Sequence, residues 1–77
     1  SQETVAFEIL RTCEKESAMV PSNGVLAVYC HPQIAEFLTD ENKVAMSEFE
    51  KKISCRLAIK VDPNIHLEEF EVFSREA

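Results

Sequence analysis

Three cysteines, two histidines and fourteen carboxylates are the residues of this 77-residue chain that could bind metal or do covalent or acid–base work. A zinc site drawn from Cys13, Cys30, His31, Cys55 and His66 would want paired ligands such as Cys-x-x-Cys, and the sequence has no such pair. Cys30 and His31 are adjacent; in a strand, neighbours point to opposite faces, so they do not form a nucleophile and its base. An activated thiol also needs an electropositive, partly exposed setting. All three cysteines lie in apolar stretches, where a free thiol packs as a small hydrophobe. They are expected in the core. His31 precedes Pro32 and reads as the entry residue of a helix.

Asp40-Glu41, Glu48, Glu50 and Glu68-Glu69-Glu71 are numerous, but none sits in an apolar setting that would tune it for acid–base catalysis. They read as a solvated face, with Glu48 supporting Lys52 one helical turn on. Gly24 is the only glycine, which excludes a Walker loop, a dinucleotide fingerprint and a Gly-x-x-Gly RNA clamp. Tyr29 is the only aromatic on the first strand, so the aromatic pairs of a ribonucleoprotein-type sheet are not expected. No catalytic, cofactor-binding or metal-binding residue is assigned within the chain.

The net charge of −6 and the lack of any basic run longer than Lys51-Lys52 disfavour a surface that tracks phosphates. RNA binding by this chain itself is expected to be weak at most. An odd cysteine count argues against a disulfide scaffold and for a cytoplasmic setting. The longest apolar run, Val25 to Cys30, is too short to span a bilayer, so no membrane association is expected. Ser1 to Phe7 carries no signal-peptide pattern.

The elements that hold these residues follow from hydrophobic spacing. Val5, Ile9 and Cys13 recur every four residues, predicting a helix over 4–18. Pro21-Ser22-Asn23-Gly24 stops it, and 25–30 is a continuous apolar run, as in a central strand covered on both faces. His31-Pro32 opens a short helix with Ile34, Phe37 and Leu38 inward. Thr39 or Asp40 caps another over 41–53. Cys55, Leu57, Ile59 and Val61 alternate as a half-buried strand. Phe70 and Val72 mark a last strand, after which 74–77 trails off. Direct pairing of the last two strands is open, although 62–68 is long for a hairpin. Residues 1–77 thus form a single α+β domain, a three-stranded sheet packed with helices in the order α-β-α-α-β-β. Leu57, Ile59, Val28 and Phe49 are expected in its core.

Two stretches carry a resemblance. Residues 1–11, Ser-Gln-Glu-Thr-Val-Ala-Phe-Glu-Ile-Leu-Arg, are similar to the helix that follows the zinc-binding segment of the ribonuclease E/G family. From Tyr29 to Phe73 the order of His31-Pro32, Ala35-Glu36-Phe37-Leu38, Asn42-Lys43, Phe49, Glu50, Asp62-Pro63, His66 and Glu69-Phe70-Glu71-Val72 resembles the same family. The resemblance implies the C-terminal small domain of a longer, magnesium-dependent endoribonuclease that cleaves single-stranded RNA. The aspartates that hold magnesium and the cysteines that hold zinc belong to upstream segments. Cys13, Cys30 and Cys55 do not match them, so no cofactor is expected in this chain. What the resemblance implies here is assembly: a non-catalytic domain that contacts the rest of the parent nuclease, helps it form homo-oligomers and supports its RNA cleavage. The final strand is expected at an exposed edge, its acidic residues limiting uncontrolled pairing, with Phe73, Tyr29 and Met19 as uncovered apolar residues. The alternative is an independent α+β module for protein interaction or ligand sensing. A Cys-Pro-x-Cys segment before Ser1 would separate the two.

Overall fold

A computed structural model describes residues 1–76. Helix α1 runs Gln2–Ser17 and starts earlier than its apolar spacing indicates, because the Ser1 hydroxyl accepts the Thr4 N–H at 3.3 Å and caps it. Glu3 in the first turn and Lys15 in the last complement the helix dipole. Strand β1, Gly24–Cys30, follows the expected turn, closed by the Gly24 N–H on the Pro21 carbonyl at 2.7 Å. Only glycine fits there. A Cβ would run into Val20 Cγ1 and stand 3.0 Å from that carbonyl oxygen.

His31 caps α2, Pro32–Glu36, through its Nδ1, which accepts the Gln33 N–H at 3.1 Å. The chain then widens into a π turn, Phe37–Glu41, before α3, Lys43–Ile53. This corrects the expected boundary. The Thr39 hydroxyl is spent on the Ala35 carbonyl at 2.8 Å, and Asn42, not Thr39 or Asp40, occupies the cap position. Asn42 also donates its side-chain amide to the Phe37 carbonyl at 2.9 Å, closing the widened turn. Ser54 ends α3 in the left-handed region at φ 54°, and β2 runs Arg56–Val61. Strand β3 runs Phe70–Glu76, so Ser74 to Glu76 continue the strand where the sequence had suggested a tail.

The sheet order is β2-β1-β3, with β1 parallel to β2 and antiparallel to β3. Direct pairing of β2 with β3 is therefore overturned. Both flank β1, whose apolar run makes it the central strand. The connection over 62–69 crosses the end of β1, where the Asp62 N–H donates to the Cys30 carbonyl at 2.9 Å. Asp62 Oδ1 accepts the Asn64 N–H, and Glu69 Oε1 accepts the His66 N–H, while the Glu69 N–H returns to the His66 carbonyl. These local bonds hold the crossing in one shape, and Leu67 anchors it on the core.

The core lies on one face of the sheet. Leu26, Val28 and Cys30 pack there with Val5, Ile9 and Cys13 of α1, with Ile34, Ala35 and Leu38, and with Met46 and Cys55. Leu57, Ile59 and Phe49, expected in the core beside Val28, are only partly buried and pack against it. Leu57 and Ile59 line a groove of about 260 Å³ between α3 and β2, together with Leu38 and Met46.

Candidate functional site

The fold brings Cys55 near Cys13 in the core but does not gather the residues singled out for chemistry into one site. Cys13, Cys30 and Cys55 are buried and free. Burial, then the neighbouring Cys55 and Glu16, pushes the Cys13 thiol from 9.0 up to about 12. Burial alone pushes Cys30 up to about 11. Both stay protonated at neutral pH, the opposite of an activated thiolate. His31 is engaged as a helix cap, and His66 lies exposed in the crossing loop. Among the described residues, no three of His, Cys, Asp and Glu come together to hold a metal ion.

Two carboxylates have tasks that their sequence context did not indicate. Glu50 Oε2 accepts the Leu57 N–H at 2.8 Å, so α3 caps the outer edge of β2. Glu69 fastens the crossing loop. The Glu50 contact has no local sequence signature, since it depends on how β2 returns beside α3, whereas Glu69 reaches back only three residues. Lys52 was expected to pair with Glu48, yet it reaches Glu14 of α1 at 3.8 Å, with both side chains exposed. The residues that carried the resemblance hold caps, turns and core positions.

An open hollow of about 850 Å³ lies at the start of β1 and β2, lined by Ser22, Asn23, Ser47, Glu50, Lys51 and Arg56 among others. Its lining is as apolar as it is polar, and its carboxylate, Glu50, already serves the β2 edge.

The opposite face of the sheet is the more distinctive surface. Alternation along β1 places Val25, Ala27 and Tyr29 away from the core. Register adds Arg56, Ala58 and Lys60 from β2, and Glu71, Phe73 and Arg75 from β3. No helix supplies core residues to this face; Val25 and Ala27 are buried but lie outside the core cluster. Tyr29 and Phe73 are diagonal neighbours across β1 and β3, meeting edge to face with ring centroids 6.0 Å apart. Phe73 remains 52% exposed. The expectation that aromatic pairing is absent thus fails. It considered one strand at a time, whereas the pair spans two strands far apart in sequence. Of the three expected uncovered residues, Met19 is 84% exposed, while Tyr29 is half-buried.

No helix among the described residues is long and apolar enough to cross a membrane. A search of curated proteins found no match. A family model described as "RNase E/G, Thioredoxin-like domain" matches residues 1–76. With no Cys-x-x-Cys pair and thiols that are buried and protonated, the second half of that description applies here to the fold.

Proposed function

The chain belongs to the ribonuclease E/G family, and on that premise we propose that it is a non-catalytic assembly domain of an RNA-processing endoribonuclease, placed after the parent's zinc-binding segment. The reading rests on one observation, the inequality of the two sheet edges. Glu50 guards the edge of β2. Among the described residues, no side chain hydrogen-bonds to the outer backbone of β3, although β3 is an edge strand. An unguarded edge is a template for a further strand.

The sequence of β3 supports a second copy of this chain as that strand. In antiparallel pairing about a two-fold axis at Phe73, Glu71 stands opposite the second copy's Arg75, and Arg75 opposite its Glu71. Phe73 meets its own counterpart. Opposite charges directly across a strand pair stabilise by about 0.2–1 kcal/mol each, and a closed two-fold interface counts every contact twice. The acidic residues on this strand thus select a partner as well as limit pairing. Three free, buried thiols favour a reducing compartment, the cytoplasm. Magnesium, zinc and the cleavage of RNA are properties of the parent in this reading.

Sedimentation velocity over a wide concentration range tests it. Arg75→Glu places like charges across the axis and weakens association; adding Glu71→Arg restores complementarity and recovers it. A chain that stays monomeric throughout, or a double variant no better than Arg75→Glu alone, overturns the edge-pairing reading. Deleting the domain from the parent is expected to lower its assembly state. An unchanged assembly state overturns the assembly role itself.

A further inference from the structure

We propose that the uncovered face of the sheet docks an acidic amphipathic helix of a partner protein, its apolar stripe on Ala27, Ala58 and Phe73 and its flanking carboxylates beside Arg56 and Lys60. Both cations lie away from the β3 edge, so the face stays available whether or not that edge is paired.

Charge sets the sign of the partner. The chain carries 14 acidic and 8 basic residues, yet this face holds Arg56, Lys60 and Arg75 against one acid, Glu71. All four are exposed. Among the described residues the ion pair is Lys52–Glu14, which involves none of them. The three cations thus face water on a molecule that is acidic elsewhere. A carboxylate-bearing surface is attracted to this face and repelled by the others.

Shape selects a helix. Ala27 and Ala58 stand side by side on β1 and β2, with Phe73 opposite Ala27 on β3. A floor of two methyl groups beside an aromatic pair accepts a large aliphatic side chain as an anchor. The rings of Tyr29 and Phe73 meet at 73°, edge against face, so they wall that floor and do not offer parallel flat faces to a row of bases. The outer strands are two inter-strand spacings apart, about 10 Å, which is about the width of one helix. Strands of six or seven residues run about 20–23 Å, a length matched by about fifteen helical residues. A sheet face of this kind is where a helix buries its apolar stripe, and the helices of this chain already occupy the other face.

The test is an NMR titration of the ¹⁵N-labelled chain with a designed helical peptide of about fifteen residues, leucine along one face and glutamate on both borders. The same peptide with lysine in place of glutamate, and an unstructured RNA octamer, are the other arms. The glutamate peptide is expected to move the amide signals of Tyr29, Ala58, Lys60 and Phe73, and to bind about tenfold more tightly than the lysine peptide. Arg56→Glu combined with Lys60→Glu is expected to invert that preference. Ala58→Lys adds a cation but fills the floor, and is expected to weaken the glutamate peptide about fivefold. All three positions lie outside the buried core and off the β3 edge, and urea midpoints near the parent's show that the variants are folded. The proposal is overturned if the face signals stay still at about 1 mM glutamate peptide, if both peptides bind equally, or if the double variant keeps the parent's preference. Tighter binding by Ala58→Lys would overturn it too, since charge alone would then hold the peptide. So would an RNA octamer that binds this face more tightly than the glutamate peptide, or face signals that move with protein concentration alone, the mark of a second copy.

Discussion

Glu50→Ala should expose how much the guarded edge of β2 matters. In the native chain the carboxylate accepts the Leu57 N–H at 2.8 Å, a charge-assisted bond across the seam between α3 and β2. Bonds to charged groups contribute about 1.5–3 kcal/mol. Leu57 is only half-buried, so water recovers part of that, and alanine slightly favours the helix. The net loss expected is therefore about 1–2 kcal/mol. Against a total of roughly 3–5 kcal/mol for a domain of this size, that is a large fraction, lowering the melting midpoint by about 4–8 °C per kcal/mol. Glu50→Gln keeps an acceptor but not the charge, and should fall between the parent and Glu50→Ala. Urea unfolding gives the energies, and hydrogen exchange at the Leu57 amide reports the bond itself. If Glu50→Ala stays within about 0.5 kcal/mol of the parent, the scatter of ordinary surface changes, the bond contributes nothing to stability. A Leu57 amide protected equally in both proteins would refute the contact.

Other expectations follow from the same packing. Leu26→Ala, at a fully buried site, should cost about 2–5 kcal/mol and leave much of the protein unfolded, whereas Ile59→Ala, beside the α3–β2 groove, should cost distinctly less by the same urea assay. Ser54→Gly should stabilise by up to about 1 kcal/mol, because Ser54 holds a left-handed conformation that glycine adopts without a Cβ penalty. The thiols' contribution to stability should be level well below pH 9.0 and fall above it: the unfolded thiols ionise there while folded Cys13 and Cys30 keep their protons until about 12 and about 11. Urea midpoints at pH 8, 9 and 10 check that slope, and thiol reagents should label the native chain slowly and the unfolded chain fast.

Most of the fold was legible because its elements are strongly patterned. The four-residue spacing of Val5, Ile9 and Cys13 marked α1, and the apolar run of 25–30 marked the central strand. Boundaries failed where side-chain bonds override periodicity. Ser1 extends α1, the Thr39 and Asn42 side chains shift the start of α3, and register with β1 carries β3 through Ser74. The candidate surface was least legible. Tyr29 and Phe73 become neighbours only once β3 pairs with β1, and Arg56, Lys60 and Arg75 form a positive face only through that same pairing. In linear sequence they are isolated charges in an acidic chain.

The central place of β1 also governs the order in which the molecule can be made. Within residues 1–76, β1 is made before either of the strands that pair with it. Val25 has no partner until Arg56 is synthesised, and Gly24 none until Glu76. No hairpin supplies an early local nucleus, and distant pairings close slowly. During synthesis the apolar strand therefore has no partner until β2 is made and one bare edge until β3 is made, so truncation within β3 should release chains prone to aggregate.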